Sequence, residues 1–189
     1  MSALPKITFD PGGAEAVAPP SALFESRQMT DGRPRLLLRA SPTAPDLFRD
    51  LASRLTGPLY LLYVLHTPRG EGEPGRYQSP ALDVEQVEAF LTDFAAFLTG
   101  DARHDIWVHS TSDGRTVVLD RHDRIFVEGG PLVEMTAVLE ARGYRSGAAP
   151  RPETGPHVHH YRAVFDAEAA AVLARFDWDR TDLRPEDEQ

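Results

Sequence analysis

Residues 105–128 read DIWVHSTSDGRTVVLDRHDRIFVE, and this stretch decides the fold class. Three runs rich in β-branched and aromatic residues, Asp105–Ser110, Arg115–Asp120 and Arg124–Glu128, follow one another with no room for a helix between them. Asp113–Gly114 is a strong hairpin dipeptide, because both turn positions accept positive φ. His122–Asp123 marks a second tight turn. The reading is a three-strand antiparallel meander. Such a meander breaks the strict strand–helix alternation of a parallel βαβ protein and points to an α+β domain with helices packed on a mixed sheet.

Working outward, Asp83 and Gln86 form a capping-box pattern in front of a long helix. Val84, Val87, Phe90, Leu91, Phe94, Phe97 and Leu98 recur at helical spacing along it, and Gly100 closes it. Upstream, Tyr60–His66 is apolar on both faces and reads as an interior strand. Before it, Thr43, Pro45 and Asp46 suit the start of a helix carrying Leu47, Phe48, Leu51 and Leu55, and Arg35–Ala40 reads as a strand. Downstream, Pro131 opens a helix that ends at Gly143. HVHHYRAVF, residues 157–165, reads as a strand, and Asp166 caps a last helix bearing Val172, Leu173 and Phe176.

The resulting order is β-α-β-α-β-β-β-α-β-α, with about five strands in a mixed sheet and about four helices on it. Residues 34–180 are expected to form one domain. Residues 1–33 are expected to be extended or irregular, with a short strand at Ile7–Phe9 and a short helix at Ser21–Met29. Residues 181–189 are expected to be a frayed acidic tail. Thr67–Pro80 is a fourteen-residue loop whose glycines, prolines and like charges leave little apolar surface to bury. It is expected to be the most mobile internal segment.

Composition bounds the function. The chain has 189 residues, 41% of them hydrophobic, enough for one well-buried core. Net charge is -9, and the arginines are scattered singly, which disfavours nucleic acid and anionic membrane surfaces as partners. Lys6 is the only lysine among twenty basic residues, a bias typical of GC-rich bacterial coding. No cysteine is present, so disulfides, thiolate nucleophiles and cysteine metal sites are excluded. The longest apolar run, Pro58–Leu65, falls far short of the ~20 residues a membrane span needs, and the first residues lack a signal-peptide pattern. A soluble, cytoplasmic protein is expected.

The chemistry concentrates at Gly155–Asp166, GPHVHHYRAVFD, where three of the seven histidines fall within four positions. On a strand, His157 and His159 share one face and His160 takes the other. Two positions along a strand span ~6.6–6.8 Å, so both imidazoles can lean onto one zinc or other divalent transition metal. This is half a site. His109, on a neighbouring strand, is the favoured third ligand, and His66, His122 and Glu128 are also candidates. Gly70, Gly72 and Gly75 spell G-x-G-x-x-G, but RYQSPALD separates them from the next helix, Glu71 and Glu73 would repel phosphate, and Pro74 lacks an amide donor, so a dinucleotide site is not expected. No nucleophile elbow, phosphate-binding loop or HExxH motif is present.

Two function classes follow. The absence of a complete catalytic signature favours a small acidic non-enzymatic interaction module without a cofactor, whose partner would be a basic protein. The second class is a metal-dependent, hydrolase-like enzyme built on His157 and His159.

Overall fold

The computed structural model describes residues 5–9, 21–39, 46–149 and 155–188. Its fold is α+β, with five α-helices and a mixed sheet of nine strands. The described strands are β1 (Ile7–Phe9), β2 (Leu23–Gln28), β3 (Pro34–Arg39), β4 (Leu59–Leu65), β5 (Gly75–Gln78), β6 (His104–Ser110), β7 (Arg115–Leu119), β8 (Arg124–Glu128), β9 (Arg145–Ser146), β10 (His157–His159) and β11 (Asp179–Thr181). The helices are α1 (Leu47–Ala52), α2 (Val84–Asp93), α3 (Ala95–Gly100), α4 (Val133–Ala141) and α5 (Asp166–Ala174), with short 3-10 turns at Ala163–Phe165 and Pro185–Glu188.

The meander is the centre of the sheet, whose order is β11-β5-β4-β6-β7-β8-β3-β2-β9. Every neighbouring pair is antiparallel except β2 and β9. Alternation along β6 is complete: His104, Ile106, Val108 and Ser110 are buried, while Asp105, Trp107 and His109 are partly exposed. Leu61, Tyr63, Leu65, Ile106, Val108, Val117, Leu119, Ile125 and Val127 thus form one apolar face, and the helices bury it. A separate two-stranded ribbon pairs β1 with β10 antiparallel, setting Ile7 opposite His159 and Phe9 opposite His157.

Several elements differ from the sequence reading, each for a local reason. Ser21–Met29 is a strand rather than a helix: Phe24 is its one buried residue, and pairing with β3 outweighs the helix formers Glu25, Arg27 and Gln28. The helix expected over Asp83–Gly100 has its capping box, but Phe94 leaves helical geometry at φ -106 and ψ 12 and splits it in two. Both pieces still bury one aromatic stripe, with the Phe90 and Phe94 rings 5.0 Å apart. The strand expected over residues 157–165 stops at His159 and gives way to the 3-10 turn at Ala163–Phe165. The start expected at Thr43 and Pro45 lies outside the described residues.

The Thr67–Pro80 segment is also more ordered than its composition suggests. Part of it is β5, between β4 and β11. The Tyr77 hydroxyl donates to the Glu73 carbonyl at 2.7 Å, and Glu71 is drawn inside by Arg103. The expected frayed tail contributes to β11 and forms a 3-10 turn whose Asp187 pairs with Arg76.

Candidate metal centre

The turn joining β7 to β8 is built by Asp120. Its Oδ1 accepts the backbone N–H groups of His122 at 2.9 Å and Arg124 at 2.8 Å, and its Oδ2 accepts Arg124 Nε at 2.6 Å. Asp123 closes the turn in the left-handed region at φ 59, which aspartate tolerates because its side chain can bond locally. Here that side chain reaches across instead. Asp123 Oδ2 accepts the backbone N–H of Lys6 at 3.2 Å, and Lys6 Nζ donates to the Asp120 carbonyl at 3.0 Å. Burial pushes the Asp123 carboxyl up to about 6 against the pull of Lys6 and Arg39.

These bonds dock the β1–β10 ribbon on the turn. The Lys6 carbonyl accepts the His160 backbone N–H, and the His160 carbonyl accepts that of Ala102. His160 turns away from its neighbours and shares a 2.9 Å hydrogen bond between Nε2 and the Thr8 hydroxyl. His157 and His159 fall together on the other side, facing His122.

The three rings form a triangle. Centroids lie 4.9 Å apart for His157 and His159, 4.9 Å for His122 and His159, and 5.3 Å for His122 and His157. One nitrogen from each ring lies within 4.8 Å of the other two. Nitrogens bound at ~2.0–2.1 Å to one tetrahedral ion sit about 3.3 Å apart, so the rings need close by only about 1.5 Å. His122 is buried, and His157 and His159 are half-buried.

The outer nitrogens are engaged. His157 Nδ1 is 2.9 Å from the Gly155 carbonyl, so it donates there and leaves Nε2 with its lone pair. His159 Nδ1 is 3.3 Å from the Tyr161 hydroxyl, while its Nε2 is shielded from solvent with no hydrogen-bond partner. His122 Nδ1 faces Asp120 Oδ2 at 3.6 Å, too long for a hydrogen bond, and Arg124 Nη2 stands 3.5 Å from the same nitrogen. Burial holds His159 down to about 4, with the positive potentials of His122 and His157 adding to it, so its ring is neutral. Burial opposes ionisation of Asp120, but the contacts of His122 and Arg124 win and keep its carboxyl below the usual range. Converging imidazoles, two of them hydrogen-bonded through the far nitrogen, and a carboxylate behind the third are what a transition-metal site requires.

The third member is therefore His122, and the favoured His109 stands elsewhere. His109 projects from the partly exposed face of β6, away from the core, with Nδ1 sharing a 2.9 Å hydrogen bond with Thr116 Oγ1. A neighbouring strand gave no access to β10, because β10 pairs with β1 and not with the main sheet. His66 and Glu128 are likewise engaged away from the trio: His66 Nε2 contacts Asp105 Oδ2 at 2.9 Å, and Glu128 pairs with Arg35 at 2.5 Å. His122 was only one of the secondary candidates; its place between two aspartates in a tight turn, DRHDR, is the signal that could have favoured it.

His104 is the histidine that sequence reasoning passed over. It is fully buried between Tyr63 and Phe97, with ring centroids 5.0 and 4.5 Å away. Burial keeps its pKa far below the ordinary imidazole value, so it serves as a neutral core ring.

No protein-family model, no curated protein and no solved structure matches this chain. Function has to be read from the site itself.

Proposed function

We propose that His122, His157 and His159 bind one divalent transition metal, zinc first among them, and that the metal makes this a hydrolase-like enzyme. The observation that carries the reading is the convergence of three imidazoles, two with Nδ1 hydrogen-bonded on the outer side and the third facing the Asp120 carboxylate. Histidine suits zinc, and absence of cysteine leaves nitrogen and oxygen donors as the available chemistry.

The enzyme reading is supported by the size of the cluster. Among the described residues it has three members and no fourth carboxylate or imidazole. Structural zinc sites are closed by four protein ligands, whereas catalytic sites keep a position open for water, whose pKa the ion lowers to ~7. The rings of His157 and His159 are half-buried rather than fully enclosed. These features favour the metal-dependent reading over the interaction module, for which no comparable constellation argues.

The test is metal content. Protein purified without chelator and dialysed should retain about one zinc per chain, and the His157→Ala, His159→Ala double variant should retain none. Zinc at or near zero in both would remove the proposal.

A further inference from the structure

We propose that the face of the sheet opposite its helix-covered core is a binding site for a neutral saccharide, formed by Tyr60, Leu62, Gln78, Trp107, His109 and Thr116. Strand register brings these side chains together. Leu62 stands opposite Trp107 on one side and Gln78 on the other, Tyr60 stands opposite His109, and His109 stands opposite Thr116. Neighbouring strands lie ~4.7–4.9 Å apart, so the six form one continuous patch. They line an open depression of about 430 Å³, within the ~300–1,000 Å³ range of small-ligand sites.

The chemistry of the lining selects the ligand class. Among the described residues it contains no carboxylate, guanidinium or ammonium group. A phosphorylated or carboxylated ligand would find no counter-charge, and a cation would find no anion. The neighbouring guanidinium of Arg76 is already paired with Asp187 and stacks over the Trp107 ring, 5.5 Å from its centroid. That stacking fixes the indole. A wholly apolar ligand would strip water from the Gln78 amide, the His109 ring and two threonine hydroxyls without replacing it, which is costly.

A saccharide satisfies both halves. Its C–H face packs on the flat rings of Tyr60 and Trp107, and its hydroxyls meet the amide, imidazole and threonine groups. One nitrogen supports this. His109 Nδ1 is tied to Thr116, which leaves Nε2 as the ring's second position for a ligand hydroxyl. The depression shares no residue with the histidine trio, so this site stands independently of the metal.

The experiment uses the full chain, with isothermal titration and tryptophan emission as readouts. The probes are the neutral oligosaccharides cellohexaose, maltohexaose and N-acetylchitohexaose, with hexagalacturonate and adenosine as charged and planar comparisons. At least one neutral oligosaccharide should bind saturably and perturb the emission, and neither comparison should compete. Trp107→Ala should weaken binding by about tenfold or more, as loss of an aromatic anchor does. If that variant does not fold, Gln78→Ala, at an exposed side chain, should still weaken binding measurably. His157→Ala should leave the affinity unchanged. The proposal is overturned if none of the neutral probes binds, if hexagalacturonate or adenosine binds as well, or if neither Trp107→Ala nor Gln78→Ala lowers affinity.

Discussion

Two polar clusters, one around Arg103 and one around the histidine trio, are finished to different degrees. Around Arg103 every guanidinium nitrogen has a partner. Nε donates to Asp101 Oδ1 at 2.9 Å, Nη1 to Glu71 Oε1 at 3.0 Å, and Nη2 to Asp101 Oδ2, Asp166 Oδ1 and the Arg162 carbonyl at 3.0–3.1 Å. Asp101 also accepts the backbone N–H groups of Arg103 and Arg162. Burial would disfavour the Arg103 charge, but these hydrogen bonds raise its pKa above the ordinary arginine value. The histidine trio is anchored on its outer side, yet His159 Nε2 is buried with no partner within the described chain. A saturated buried network closes a fold. A preorganised network with a buried inner nitrogen that finds no partner among the described residues is arranged for something outside it.

The largest expected effect tests the saturated cluster. Arg103→Met leaves Asp101 and Glu71 buried without their counter-charge, and should cost ~3–5 kcal/mol in a denaturant melt, with or without metal. A loss below about 1 kcal/mol would mean that the cluster is not the closed structural element described here. The contrast sharpens with zinc added to the wild type. At a hundred times its dissociation constant, zinc should raise stability by ~2.7 kcal/mol, and the His157→Ala, His159→Ala variant should show no rise. Whatever stability the same variant loses without zinc, through its hydrogen bonds to Gly155 and Tyr161 and the packing of two half-buried rings, should be unchanged when zinc is added.

Much of the main domain was legible because its signals are local. The capping box at Asp83 and Gln86, the stripe from Val87 to Leu98 and the hairpin at Asp113–Gly114 need only neighbouring residues to be read. What was not legible depends on long-range pairing. Leu23–Gln28 has the composition of a helix and becomes a strand because β3 offers it an edge. Glu71 reads as part of a solvated acidic loop and is buried because Arg103 awaits it. At the candidate site the pleat sets His157 and His159 on one side, and that was readable. The third residue depended on where the β1–β10 ribbon docks, which Lys6, Asp120 and Asp123 decide from positions more than a hundred residues apart.

A smaller effect is expected at the carboxylate behind His122. Asp120→Asn keeps an oxygen for the turn amides but removes the charge facing the imidazole. It should lower zinc affinity ~10–100-fold, as loss of such outer partners does, while one zinc still binds per chain. Unchanged affinity in a competition titration would show that the 3.6 Å contact plays no part in holding the metal. The smallest effect is expected on the opposite face of the fold's main sheet: His109→Ala should leave zinc affinity unaltered, and a loss there would restore that residue to the site.

The most direct measurement is zinc titration of the chelator-treated protein beside its His122→Ala variant. His122 is the residue that only the three-dimensional arrangement joins to the other two. The wild type should bind one zinc per chain, and His122→Ala should bind at least about tenfold more weakly, because one of three ligands is gone. Equal binding by the two proteins, or none by the wild type, would contradict a metal centre made by these three histidines.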